Sequence, residues 1–569
     1  MIVLLPQYDM TSPSGFLSPD SPSPGVEAAY ARLEGAGFAD ALWSRHLEIW
    51  STDAHEQHVV DNRLGWLVTA GTVGPQLARV KAAAAEVRTA GFTDIVLLGM
   101  GGSSLAPEVI RHIIGVAEGW PRFRMLDSVN PAAVRDAMSH AASSLFVVAS
   151  KSGTTIEPTV MTAEAKRRVE AAGHRPWGSR FMAITDRGTL LHHRAESDHF
   201  RHVFLNPSDI GGRYSALSLF GLVPAALMGI DPEMFLSRTA RMADACRTAQ
   251  PRSNPGLALG AEIAAAALLG RDKLTLLLPD ALSSLGLWVE QLVAESTGKD
   301  GMGVVPIAGE PVLPRYGRDR LAVSVSLPGL TPDAGALGAL RAAGSPVVEL
   351  LLPDPLSLGA EFLRWEVATA AAGWLLGVNP FTEPDVQRAK DATRSLIDTY
   401  HRDGQLPAPE VHASDRGATI TISQAARRKS SDPARFLSSP SPGDYLAILA
   451  YLSPGDVAYA DTLGHFRAEV GRRAGIATML GFGPRYLHST GQLHKGGPAG
   501  GIFLVVTAEP DEDLSVPGHP HSFGLLESAQ GLGDFMSLDQ LGRRCLLVRL
   551  PSLGAGALDS ILSDLLSGL

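Results

Sequence analysis

Between residues 94 and 205 the chain repeats one pattern: a short apolar run, a turn of small residues, then a stretch of helical character. The runs fall at 95–98, 123–126, 145–149, 181–185 and 203–205. Short apolar runs without polar alternation are those of strands buried on both faces, so the pattern predicts a parallel sheet wrapped by helices. A second series begins at 274–278, continues at 321–325 and 347–352, and leads into the Ala-rich helical stretch 361–376. The expected fold class is α/β, with two doubly wound parallel-sheet domains and an additional C-terminal α/β stretch.

A chain of 569 residues is too long for one core. Residues 1–45 are expected to be an N-terminal arm, mobile over its Ser/Pro-rich start. Residues 46–245 and 246–400 are the two sheet domains, and 401–474 reads as an irregular connection with some helix. Residues 475–569 are the C-terminal α/β stretch, with candidate strands at 475–480, 502–507 and 545–550 and a helical pattern over 523–535. The sequence leaves open whether this stretch completes the second sheet or forms its own module. The net charge of −10 argues against a nucleic-acid surface. The longest apolar stretches, such as 217–230, contain Pro and Gly and fall short of a membrane span. Two cysteines far apart, Cys246 and Cys545, indicate neither a disulfide framework nor a zinc knuckle, and a reducing cytoplasm is the expected setting.

Chemistry is concentrated in a few turns. Ser150-Lys151-Ser152-Gly153-Thr154-Thr155 follows the apolar run 145–149, so a strand ends in hydroxyls, a glycine and a lysine just where a helix should begin. Hydroxyls, free N–H groups and a helix N-terminus together suit a phosphate, although Ser, Gly and Thr are also ordinary turn and capping residues. An earlier turn of similar design, Gly101-Gly102-Ser103 after 95–98, strengthens the phosphate reading. The run 285–298 reads as a helix stopped by Gly298, with Gln291 and Glu295 four residues apart on one face. A glutamate near such a helix end can be partly desolvated into a useful base, whereas most helical glutamates are solvated surface. Gly211-Gly212-Arg213-Tyr214-Ser215 permits close backbone approach with an arginine at its lip, and 487–497 places His488, Gln492, His494 and Lys495 among small residues.

Taken jointly, these motifs resemble the glucose-6-phosphate isomerase family, over most of the chain from about residue 45, and most of all the isomerase half of fused transaldolase/glucose-6-phosphate isomerase proteins. Residues 11–24 sit where a linker to the transaldolase half would lie. The resemblance implies two sugar-isomerase-type (SIS) domains. It implies phosphate and substrate binding by Gly101, Gly102, Ser103, Ser150, Lys151, Ser152, Thr154, Thr155, Gly212, Gln291 and Gln492. It makes Glu295 the base, Arg213 the partner of the reacting oxygens, His488 the ring-opening residue and Lys390 the family lysine. No metal or organic cofactor is implied, and the family's homodimer is the expected assembly; the family supplies its histidine across the interface, whereas the displaced motif here also allows His488 to act within its own chain. Two departures stand out. Glu383 occupies a position usually held by glutamine, and the histidine motif follows Lys390 in the chain, where the family order is the reverse.

The implied activity is interconversion of glucose 6-phosphate and fructose 6-phosphate, in glycolysis and gluconeogenesis, by ring opening and a cis-enediolate proton transfer. The competing reading is a sugar-phosphate-binding regulator of the same fold that performs no chemistry. A dinucleotide site is a weaker rival because the glycine spacing after 95–98 is not GxGxxG, and His519-Pro520-His521 lacks a carboxylate or cysteine at metal-ligand spacing.

Overall fold

The computed structural model describes residues 16–17, 23–552 and 554–569. The first sheet runs Arg122–Leu126, Asp94–Gly99, Ser144–Ala149, Phe181–Asp186 and His202–Asn206 in spatial order, every pair parallel. Asp94–Gly99 and Ser144–Ala149 are buried at all six positions, as strands covered by helices on both faces should be. The strand order reverses between these two, which opens a crevice at their carboxyl ends where α/β sheets take ligands. Both glycine and hydroxyl turns identified in the sequence leave from that crevice.

The second sheet orders Phe16–Leu17, Val347–Leu351, Arg320–Ser326, Lys273–Leu277 and Val305–Ile307, antiparallel only at the first pair. Its helices pack directly against those of the first domain. Pro255–Leu268 and Leu358–Leu376 run so close that a Cβ on Gly260 would stand 2.5 Å from the Ala368 carbonyl oxygen. Helix Leu285–Thr297 ends at Gly298 as its sequence predicts, and Leu358–Leu376 covers the expected helical stretch.

The C-terminal part forms its own six-stranded sheet: Ala413–Asp415, Ala418–Ile422, Arg544–Leu550, Gly501–Ala508, Tyr445–Tyr451 and Ala477–Phe482. The last four are parallel, and the first two run antiparallel at one edge. This corrects the expectation for 401–474, which is not an irregular connection. It holds Tyr445–Tyr451, an inner strand buried at all seven residues, and helix Val457–Ala474. The strand is an unbroken apolar run of the kind a doubly covered parallel strand requires, and the Ser/Pro/Gly-rich residues on either side of it, 438–443 and 453–455, disguised it as loop. The arm is corrected as well. Residues 26–43 form helices Val26–Gly35 and Phe38–Trp43, with Tyr30, Leu33, Phe38 and Leu42 buried in the main core. Most of the Ser/Pro-rich stretch 11–24 lies outside the described residues. Among the described residues no helix is long and apolar enough to cross a membrane.

A buried ion pair anchors the C-terminal sheet's contribution to the crevice. Lys495 Nζ donates to Asp534 Oδ1 at 2.5 Å, the Tyr486 hydroxyl donates to Asp534 Oδ2 at 2.5 Å, and Lys495 and Asp534 are at most 1% exposed at their side chains. Asp534→Asn leaves the Lys495 ammonium without its counter-charge. It is expected to lower the free energy of unfolding by about 3–5 kcal/mol, read from urea denaturation.

Candidate active site

Three layers of the molecule meet over the crevice. From the first sheet come the turns Gly101–Ser103 and Gly212–Tyr214, which pack against each other. A Cβ on Gly102 would overlap the Gly212 carbonyl oxygen, and Ser215 Oγ donates to the Gly102 carbonyl at 3.2 Å. Gly101 adopts φ 53°, and a side chain there would strike the His488 carbonyl oxygen at 2.7 Å. Ser150, Ser152 and Thr155 surround the turn before helix Ile156–Ala171, where Ser150 Oγ accepts the Gly153 N–H at 3.1 Å. Hydroxyls and the positive end of that helix dipole thus face one space. Lys151 pairs with Asp186 and donates to the Ser208 carbonyl at 2.7 Å, which fixes the turn. Burial pushes the Asp186 carboxyl above its ordinary range, and Lys151 opposes the shift.

Arg213 is 5% exposed and fully engaged. Its Nε donates to Ser296 Oγ at 2.9 Å, and Nη2 donates to the Pro380 and Thr382 carbonyls at 2.7 and 3.1 Å. Nη1 lies 2.9 Å from Glu383 Oε2 and 3.4 Å from Glu295 Oε1. Glu295 sits in the last turn of its helix, 14% exposed, with Gln291 Nε2 donating to Oε2 at 3.3 Å. Burial raises its pKa, Arg213 opposes that rise and Glu383 adds to it. The outcome is a carboxylate readier to take a proton than one in water.

The third layer supplies His488, from the turn Arg485–His488 that follows strand Ala477–Phe482. Arg485 clamps this turn to the carboxyl edge of the first sheet, donating to both oxygens of Asp127 at 2.7 and 2.8 Å. His488 Nε2 lies 3.0 Å from Glu157 Oε1, which also accepts from Gln530 Nε2 at 2.8 Å. Burial raises the Glu157 carboxyl, but His488, with a backbone hydrogen bond and the Lys390 charge, holds the group below the usual range. The result is a histidine fixed by a buried carboxylate, the arrangement that orients an imidazole for proton transfer.

Gly101, Gly102, Ser103, Ser150, Lys151, Ser152, Thr155, Gly212, Arg213, Gln291, Glu295, Lys390 and His488 all line one cavity of about 540 Å³. Two expected residues do not. Thr154 donates to Ser152 Oγ at 3.1 Å and lines an adjoining depression, which shares Ser150 and Thr155 with that cavity. Gln492 is 0% exposed, its amide spent on the Gly298 carbonyl, the Asp385 carboxylate and the Asp385 N–H. Its place in the motif suggested substrate, and its side chain instead fastens the histidine segment to the second domain. Glu157 and Gln530 went unread. Glu157 looks in sequence like an ordinary acidic residue of a helix first turn, and Gln530 carries no motif. Lys299, 2% exposed, donates to the Asn379 and Thr382 carbonyls at 2.6 and 2.5 Å, and burial with Arg213 nearby lowers its pKa to about 7.

A doubly wound sheet with a hydroxyl turn at its switch point is thus joined to a second sheet domain that carries a glutamate against an arginine. Residues 77–304 match the model of the phosphoglucose isomerase family. The chain is 30% identical over 368 residues to a glucose-6-phosphate isomerase of Prochlorococcus marinus strain MIT 9313, covering 57% of this chain and 66% of that one. It is 30% identical over 354 residues to one of Parasynechococcus marenigrum strain WH8102, covering 55% and 64%. The chain thus spans a little under two thirds of the length of these relatives. Among solved structures, a hypothetical protein of Thermus thermophilus aligns with TM-score 0.54 and 24% identity over 65% of this chain and 97% of its own. A glucose-6-phosphate isomerase from Chlamydia trachomatis aligns with TM-score 0.54 and 19% identity over 66% and 86%. The phosphate turn, Arg213 and Glu295 lie inside the matched family region, while Lys390 and His488 lie beyond it.

Proposed function

We propose that the chain is an aldose–ketose isomerase interconverting glucose 6-phosphate and fructose 6-phosphate in the cytoplasm, a step of glycolysis and gluconeogenesis. The observation that carries the reading is that Glu295, Arg213, His488 and the hydroxyl turn face a single cavity. The phosphate is held by Ser150, Ser152 and Thr155 at the helix N-terminus, and this remote binding keeps the open chain in register. His488, oriented by Glu157, moves the proton between the ring oxygen and the C1 hydroxyl, with Lys390 lending positive charge. Glu295 then removes the C2 proton and returns it to C1 through a cis-enediolate. Arg213 keeps a fixed cation beside the developing oxyanion. Acid–base groups of the chain suffice for every proton moved.

The competing regulator would bind sugar phosphate without exchanging its protons. In deuterium oxide, NMR of added fructose 6-phosphate is expected to show deuterium at the carbon reprotonated by Glu295. Binding with neither deuterium uptake nor glucose 6-phosphate formed would overturn the isomerase in favour of the regulator.

The assembly is proposed to be a homodimer in which each chain has its own complete site, because His488 and Glu157 meet within one chain. Mixing Glu295→Gln and His488→Ala proteins under subunit exchange is therefore expected to restore no activity. Recovery toward a quarter to a half of wild type would place the histidine across the interface.

A further inference from the structure

Arg213 Nη1 serves two carboxylates that open on the same cavity, and Glu383 at 2.9 Å holds the nearer place while Glu295 stands at 3.4 Å. The hold is built into the loop and is not a chance approach of a surface side chain. Lys299 Nζ ties down the carbonyls of Asn379 and Thr382, and the Asn379 side-chain oxygen accepts the Phe381 N–H at 3.1 Å. Phe381 is 1% exposed and packs edge-on against Trp50 and obliquely against Tyr214, with ring centroids 4.9 and 5.3 Å away. Arg213 itself donates to the Pro380 and Thr382 carbonyls, so the residues just before Glu383 are held by Arg213 and Lys299 alike.

We propose that Glu383 is a positioning residue that sets the strength of Glu295 as a base by taking the larger share of the Arg213 charge. The inference rests on the reading of Glu295 as the base. The charged groups facing Glu295 are Arg213, Glu383 and Lys299, and those facing Glu383 are Arg213, Arg63, Lys299 and Glu295 itself. Both carboxyls are pushed up by burial. Arg213 brings Glu383 below its ordinary value, while Glu295 stays above its own. Two carboxyls whose environments drive them apart divide into a permanent anion and a proton carrier, and here the anion is Glu383. A carboxylate at this place also repels the substrate phosphate, so a modest loss of affinity accompanies the stronger base.

The test compares Glu383→Gln and Glu383→Asp with wild type. Ionisation of Glu295 is followed by infrared difference against Glu295→Gln, a readout that needs no turnover, beside the pH profile of kcat/KM. In Glu383→Gln the Glu295 titration is expected to move to lower pH. The ratio of variant to wild-type kcat/KM should rise roughly tenfold as pH falls through the wild-type Glu295 titration. Glu383→Asp, which keeps the charge, is expected to retain the wild-type midpoint even where its activity falls. A Glu295 titration unmoved in Glu383→Gln overturns the inference, whatever its activity. Activity retained in Glu295→Gln would instead strike the base assignment, and the infrared titration would still decide whether Glu383 controls that carboxyl.

Discussion

Glu295→Gln is expected to reduce turnover of fructose 6-phosphate roughly a thousandfold while leaving the affinity for the sugar phosphate within a few fold. The size of the loss follows from the chemistry. An amide of the same shape keeps the hydrogen bond to Gln291 and the packing at the end of helix Leu285–Thr297, but it cannot carry a proton between C2 and C1. Affinity is spared because the phosphate is held some way off, by the turn at 150–155 and the helix that follows it. Steady-state turnover and calorimetric binding on the same protein separate the two effects. Near-normal turnover in the variant would remove Glu295 from the mechanism.

His488→Ala is expected to cost about a hundredfold on the cyclic sugar and much less on a substrate fixed in the open-chain form. The difference isolates ring opening, since Glu295 and Arg213 act only after the chain is open. Glu157→Gln should show the same pattern in weaker form. It removes the anion that orients the His488 imidazole at 3.0 Å and leaves the histidine in place. Equal losses on cyclic and open-chain substrates would contradict the ring-opening role and make the pair a structural tie between the first and third sheets.

The parts of this site that could be read from sequence are those written in consecutive residues. A hydroxyl turn after an apolar run, a paired glycine before Arg213, and Gln291 and Glu295 one helical turn apart are local patterns, and local geometry follows from them. What stayed hidden is relational. Glu157 meets His488 across 331 residues and Gln530 across 373, and neither pairing leaves a trace in the spacing of either segment. Gln492 failed for the opposite reason: its neighbours placed it near substrate, but its side-chain direction, set by helix Gly491–Gly496, turns it toward Asp385 and Gly298. The strand Tyr445–Tyr451 was missed because the Ser/Pro/Gly-rich residues on either side of it, 438–443 and 453–455, read as one long loop. Its sheet explains the departure in motif order. The histidine arrives from the carboxyl end of a third sheet that clamps onto Asp127 of the first, so a motif late in the chain still reaches the cavity.

The most direct test is conversion of fructose 6-phosphate to glucose 6-phosphate by the purified chain, followed by a coupled dehydrogenase with chelator present and the Glu295→Gln protein alongside. Turnover on the order of 10 s⁻¹ or faster, lost in the variant, is the predicted result. Fructose 6-phosphate bound by the wild-type chain without any glucose 6-phosphate formed would contradict it.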